Sequence, residues 1–477
     1  MSSAKTIAKS TFLLLSSEMF DKIFSFFLVI IITRYLGSVG FGKYSFAFAF
    51  IGIFTMISHM GLNTYILREI SKDKSQTKKL VGNTLTLKLS SLIVAYIVAI
   101  IIARYWPKSN EIILAILLVM VYGFFGIFNT LIKTVFKAYE KNQFVLYGTI
   151  TEKILILPLG FYVLSQGYGL YGLLLALILT EFIASIFYYI IALKKFVRLS
   201  CSIDFKFWRV LIKNSMPFWF TMIFQRIYYS IDTIMLTGIK NYAVTGWYNA
   251  ASTLIVALQV IPGIIVYATF PAMSRLHHIN SKDILRLLYK KVVYYLFSIA
   301  LPISIGVSLL AQRLILFIYK EGFIQSGITL MILSWALIFV FASTIIGYLL
   351  NSINKQHLFA MSSGICVISN LALNFVLIPK FSYVGASVAT VITQIINFLA
   401  LHYCATKNGY PLNLIKISYK PIIAGTIMGV LILYMKFLPV IYIVPIAAVS
   451  YFIALFSIKG IGKEEIDLIK SFLPKKF

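Results

Sequence analysis

Apolar stretches of about twenty residues recur along the whole of this 477-residue chain, each long enough to cross a bilayer as a helix. Fourteen can be marked: about 10–33, 44–64, 81–103, 112–136, 144–164, 170–193, 214–237, 244–272, 292–311, 327–350, 358–378, 383–405, 421–436 and 440–458. The composition agrees. Hydrophobic residues make up 60% of the chain and charged ones 12%, against about 25% charged in soluble domains. A soluble enzyme, a disordered chain and a coiled coil are excluded. The first segment is too long for a signal-peptide core and lacks a small-residue cleavage site, so it is read as the first membrane helix. The fold class is an all-α integral membrane protein.

Lys and Arg number 43 against 15 Asp and Glu, a net charge of +28. Such an excess can mark nucleic-acid binding, but here the cations sit in short loops between apolar segments. With the N-terminus inside, about 30 of them fall on the cytoplasmic side and nine on the outer side. The outer nine are Arg34, Lys43, Arg104, Lys108, Lys240, Arg313, Lys320, Lys380 and Lys436. That bias is the positive-inside rule, and it puts both termini in the cytoplasm. Nucleic acid is therefore not an expected partner; anionic lipid headgroups are. Cys201, Cys366 and Cys404 are scattered and odd in number, which gives neither a disulfide framework nor metal-ligand spacing.

The chain echoes itself. Residues 19–47 align without gaps to 223–251, matching Phe20/Phe224, Ile23/Ile227, Ile30/Ile234, Thr33/Thr237, Gly42/Gly246, Tyr44/Tyr248 and Ala47/Ala251, with Lys22 opposite Arg226. A second echo pairs Gly172/Gly385, Ala176/Ala389 and Thr180/Thr393. Their spacing by four makes a small-residue face of the kind that packs helices closely. The implied unit is six helices, repeated in parallel. The expected organisation is two pseudo-symmetric six-helix lobes, 1–200 and 201–410, around a central cavity. Two extra helices and a cytoplasmic tail fill 411–477.

Charges inside a span are unfavourable by roughly 2.5–3.5 kcal/mol each on insertion scales, so the few present need a reason. Glu18, Asp21 and Lys22 share one helical face in the first segment. Lys88, Glu152, Lys153 and Glu181 follow, and the seventh segment carries Arg226, Tyr228, Tyr229 and Asp232. Segments nine to twelve hold no charge in their interiors. On the functional reading, Lys22, Arg226, Lys88 and Lys153 line a wet cavity and hold a phosphate-bearing substrate, Arg as a fork and Lys as a point charge. Tyr228, Tyr229 and Tyr248 would stack on sugars. Glu18, Asp21 and Asp232 would be charge partners or ligands for a coupling proton or sodium ion. On the structural reading, these groups form mutual salt bridges or snorkel to an interface. Arg34, Arg68 and Arg275, at segment ends, are gates or headgroup anchors. Pro217, Pro262, Pro271 and Pro302 are kink sites. The five histidines form no metal pair, and neither a phosphate-binding GxxxxGK[ST] loop nor an HExxH motif is present. The chain is read as non-enzymatic, with no cofactor and no metal.

One family pattern then stands out. Arg34-Tyr35-Leu36-Gly37, Gly40-Phe41-Gly42-Lys43-Tyr44, Gly61-Leu62 and Arg68-Glu69-Ile70 resemble the start of the polysaccharide-type flippases of the multidrug/oligosaccharidyl-lipid/polysaccharide exporter superfamily. Tyr171-Gly172, Val384-Gly385 and Pro271-Ala272-Met273-Ser274-Arg275 are similar to it too. The resemblance implies transport without chemistry. A polyprenyl-(pyro)phosphate-linked oligosaccharide would pass from the cytoplasmic to the outer leaflet of the cell membrane by alternating access, for surface polysaccharide biosynthesis and alongside polysaccharide assembly proteins. The family's cavity arginines map in location onto Lys22 and Arg226. Two rivals are a multidrug or cation antiporter of the same superfamily, which favours a carboxylate site, and a membrane glycan polymerase, which needs larger outer loops than this chain has.

Overall fold

A computed structural model describes residues 2–106, 112–197 and 201–460. They form fifteen α-helices, with no strand among the described residues. These are α1 (Ser2–His59), α2 (Leu62–Lys72), α3 (Thr77–Arg104), α4 (Ile113–Ala138), α5 (Asn142–Ser165), α6 (Gly169–Lys195), α7 (Phe205–Ile239) and α8 (Tyr242–Leu258). Then follow α9 (Val260–His278), α10 (Lys282–Tyr319), α11 (Ser326–Leu333), α12 (Ala336–Ser352), α13 (Gln356–Lys407), α14 (Leu414–Tyr434) and α15 (Val440–Ser457). Lys108, Arg198 and the tail beyond 460 lie outside the described residues.

Ten described spans are long and apolar enough to cross a membrane, or eleven when α11 and α12, bent by 41°, count as one. The expected fourteen is approximate, and the difference has physical causes. Two long helices are each interrupted once, α1 at Gly37 (φ 64°, ψ −174°) and α13 at Ser382 (φ 56°, ψ −135°). Each therefore carries two of the apolar segments. Gly37 reaches its positive φ without the penalty a β-carbon brings. α7 is long enough to span but too polar to pass on composition.

Two stretches expected as loops carry helix. α2 buries Leu62, Tyr65, Ile66 and Ile70 and exposes Thr64, Arg68 and Lys72, an amphipathic pattern of period 3.6. Asp73 ends it and starts the next turn: its carboxylate accepts from the Ser75 hydroxyl at 2.6 Å, the Gln76 amide at 2.9 Å and the Ser75 backbone N–H at 3.0 Å. These bonds, the Ser75 hydroxyl's first, hold the Asp73 carboxyl below the usual carboxylate range. α7 begins well before its apolar segment because Asp204 caps it, accepting from the N–H groups of Lys206 and Phe207, each at 3.0 Å. The lead-in is tied to α3: Thr86 donates to the Ser202 carbonyl at 2.6 Å, and the Asp204 N–H donates to Asn83 at 3.0 Å.

The chain divides into two compact units, Met1–Asn249 and Ala250–Phe477. Packing sets this division, whereas the expected boundary near 200 comes from the sequence repeat. In the first unit α1 and α5 run side by side in fixed register. Asn142 donates to Ser10 (2.9 Å) and Ser17 to Thr149 (3.1 Å), both pairs 132 residues apart, and Lys153 meets Asp21 (3.0 Å) at the same spacing. Such polar pairs fix register where hydrophobicity cannot. The second half of α1 packs antiparallel to α7: the Trp219 indole donates to the Met56 carbonyl at 3.1 Å and Arg226 to the Phe48 carbonyl at 2.9 Å.

In the second unit α14 and α15 bury Ala424, Met428, Ile432, Ile443, Ala447, Tyr451 and Leu455 with Leu310 of α10. The Tyr451 hydroxyl donates to the Ser298 carbonyl at 2.8 Å, and Arg313 to the Leu438 carbonyl at 3.2 Å. Prolines stand inside α7 (Pro217), α9 (Pro271) and α10 (Pro302), while Pro262 follows the break at Gln259 that separates α8 from α9.

Candidate functional site

The second half of α1 presents Phe48, Gly52, Thr55 and His59 on one face, at the i, i+4, i+7 and i+11 positions of a helix. With Tyr122, Gly126 and Thr130 of α4 and Met222 and Arg226 of α7, they line an open cavity of about 330 Å³ within the first unit. That is the lower end of the size range of small-molecule sites. The lining is largely apolar, with Thr55, His59, Tyr122, Thr130 and Arg226 as its polar members.

Arg226 is the centre of the arrangement. It sits midway along α7, and its guanidinium lies against α1 where residue 52 is glycine. A β-carbon there would collide with Nη2 and Cζ. One Nη2 proton goes to the Phe48 carbonyl, and Nε is buried without a hydrogen-bond partner. No Asp or Glu is among the lining residues, so the guanidinium charge is not neutralised within the cavity. Behind the His59 end lies a second cation. Lys88 of α3 is 0% exposed, and its ammonium donates to the Asn63 side chain at 2.6 Å. Two basic groups held in low dielectric beside a cavity without carboxylates make it attractive to an anion with several acceptor oxygens.

The remaining candidates are distributed differently. Lys22 and Glu18 are exposed on α1, and Lys22 is not among the cavity-lining residues. Asp21 turns to Lys153, whose ammonium also meets Glu152 at 3.0 Å. The Asp21 side chain stays 45% exposed, while that of Lys153 is nearly enclosed. Lys88 is buried behind the cavity wall and does not open into it. Tyr248 is buried, and its hydroxyl donates to the carboxylate of buried Asp232, so this ring presents no free face for a sugar. Tyr228 and Tyr229 meet edge to face at 5.4 Å, with Tyr229 58% exposed. Glu181 is buried and accepts from Asn129 at 2.8 Å, its carboxylate next to Gly126, one of the lining residues. Of the expected gates, Arg68 bonds its neighbour Glu69 at 3.0 Å and lies over the Tyr65 ring, and Arg34 and Arg275 are exposed.

Of the sequence candidates, Arg226 lines this cavity, and the residues that frame it are not among those candidates. Gly52 and Asn63 are ordinary residue types in a membrane helix, and His59 is one of five histidines that form no metal pair. A usable signal was present: Gly52, Thr55 and His59 share a face with the carbonyl that Arg226 reaches.

The comparisons with known proteins bear on both fold and family. Residues 7–277, more than half of the chain, match the family model described as polysaccharide biosynthesis protein. The putative O-antigen transporter of Shigella flexneri is 25% identical over 399 residues, covering 79% of this chain and 92% of that protein. The probable low-salt glycan biosynthesis flippase Agl15 of Haloferax volcanii is 26% identical over 163 residues, 34% of each chain. The match thus spans only about a third of that relative's own length. Among solved structures, the lipid II flippase MurJ in an inward closed conformation superposes with a TM-score of 0.76 at 15% identity, over 93% of this chain and 98% of that one. The helical arrangement is thus that of a known transporter fold, and the chain belongs to the polysaccharide biosynthesis protein family.

Proposed function

We propose that this multi-pass membrane protein is a flippase that moves a polyprenyl-(pyro)phosphate-linked oligosaccharide across the cell membrane, from the cytoplasmic to the outer leaflet, by alternating access. The observation that carries this reading is the cavity around Arg226, apolar in its walls and free of lining carboxylates. A pyrophosphate and its sugars cannot enter hydrocarbon unaided, because shedding their water without replacement bonds is too costly. Arg226 supplies replacement bonds to phosphate oxygens. Thr55, His59, Tyr122 and Thr130 offer groups for the adjoining sugar. The transport step breaks no bond, and the chain acts without cofactor.

The basic segments 65–80 and 205–213 face the cytoplasm in this reading, as do both termini. Coupling to a proton or sodium gradient falls to Asp21, a carboxylate in the first half of α1 that is paired with the cation of Lys153 and partly open. Assembly proteins of the surface glycan are the partners that would receive its product. The reading is supported by the named relatives, a flippase and an O-antigen transporter. Its test is translocation of a fluorescent undecaprenyl-pyrophosphate oligosaccharide in proteoliposomes. Activity in the wild type that is lost in Arg226→Ala upholds the proposal; equal activity in Arg226→Ala removes the site.

A further inference from the structure

Between Ser91 and Arg104, α3 carries one side chain with a polar atom, Tyr96. A hydroxyl in so apolar a run needs a partner on another helix or on a molecule that enters beside it. Tyr96 is half-buried, and it reaches the helices that wall the Arg226 cavity. Its oxygen stands between two lining residues, Thr55 of α1 and Gly123 of α4. A β-carbon on Gly123 would collide with that oxygen, so glycine there leaves the hydroxyl its place. The arginine is accommodated in the same way: Gly52 admits the guanidinium and Gly123 the phenol, each from a neighbouring helix. The hydroxyl is placed there but weakly bonded. Thr55 donates its own proton to the Ile51 carbonyl at 2.8 Å, so Tyr96 is the donor in the Tyr96–Thr55 contact. At 3.5 Å that contact is long, since an ordinary O–H···O bond measures about 2.7–2.8 Å.

We propose that Tyr96 is a specificity residue, whose hydroxyl, presented through the notch at Gly123, bonds the sugar next to the pyrophosphate. Position supports this. Thr55 lies one turn along α1 from Gly52, a rise of about 4.5 Å, so a pyrophosphate on Arg226 has its first sugar beside the Tyr96 hydroxyl. Chemistry supports it too. A phenol both donates and accepts, as a sugar hydroxyl does, and a sugar oxygen at normal bonding distance replaces the long contact with Thr55. A site that bonds a polar group of its ligand disfavours a ligand without one, because the protein's own polar atom is then left without a good partner. The inference deepens the flippase reading and rests on it for the identity of the cargo.

The test measures binding of two lipids to the full-length chain in vesicles: undecaprenyl pyrophosphate, and the same lipid carrying one N-acetylglucosamine. The wild type is expected to hold the sugar-bearing lipid more tightly. Tyr96→Phe keeps the ring and removes the hydroxyl. It should weaken the sugar-bearing lipid by roughly 2- to 10-fold, the range of one hydrogen bond, and leave the bare pyrophosphate unchanged. Gly123→Ala, which displaces the hydroxyl, should give the same selective loss, while Gly263→Ala, whose added β-carbon meets nothing, should give none. Arg226→Ala should weaken both lipids alike. A merely structural role for Tyr96 would move both affinities together, so an unchanged ratio between the two lipids in Tyr96→Phe overturns the assignment and leaves the flippase reading in place. The selective loss in a protein that binds the sugar-bearing lipid but moves none of it across the bilayer leaves the assignment standing and sinks the flippase reading. A wild type that binds neither lipid overturns both.

Discussion

The two units solve the same burial problem with different chemistry. Among the described residues the first unit buries Lys88, Lys153, Glu181 and Asp232, while the polar groups buried in the second are hydroxyls and amides such as Ser298, Ser304, Asn370, Asn374 and Gln394. Their cavities differ in the same sense. That of the first unit, about 330 Å³, contains Arg226 and His59. That of the second, about 570 Å³, is walled by Phe297, Leu301, Trp335, Phe339 and Phe398, with Ser418 and Thr426 as its polar members. A hydroxyl can satisfy itself on its own helix, as Thr393 does on Ala389 at 2.7 Å, whereas a charge needs a partner from another helix. The first unit is thus specified by cross-helix pairs, and the second mainly by shape.

That contrast can be broken by substitution. The largest effect is expected at Arg226. A hydrogen bond to a charged group contributes about 1.5–3 kcal/mol, so Arg226→Ala should weaken binding of a prenyl-pyrophosphate by roughly 10- to 100-fold in a vesicle assay. Gly52→Ala should do the same with the arginine present, because the new β-carbon displaces the guanidinium. Next comes Lys153→Met, which strands Glu152 and leaves Asp21 unpaired. A loss of about 3 kcal/mol in unfolding free energy is expected, and Lys153→Arg should recover most of it. Asn63→Ala leaves the Lys88 ammonium buried without its acceptor and should cost about 2 kcal/mol; adding Lys88→Met should restore stability, since an apolar pair needs no partner. The smallest is Tyr451→Phe in the second unit, about 1 kcal/mol, read from the same unfolding curves. Were Tyr451→Phe to match Lys153→Met, the contrast between the units would fail.

Much of this was readable from the sequence, because length and hydropathy act locally. The apolar segments coincide with helices, and the break at Gly37 falls in the connection already marked between the first two. The equivalence of Gly42 and Gly246, seen first as an alignment, reappears as a reciprocal contact. What could not be read was partnership. Asp21 shares a helical face with Glu18 and Lys22, yet pairs with Lys153 on α5. Tyr248 looked available for stacking and is occupied by Asp232. The break at Gln259 and the bend between α11 and α12 lie inside uninterrupted apolar segments, where hydropathy carries no signal for them.

The fixed register of α1 on α5 has a consequence for biogenesis. Ribosomes add about 5–20 residues per second, so the 132 residues between matched positions take on the order of ten seconds to make. For that interval Asp21 exists while Lys153 does not. The pair between α1 and α5 therefore closes only after α5 is synthesised, so α1 completes its polar contacts late in the making of the first unit.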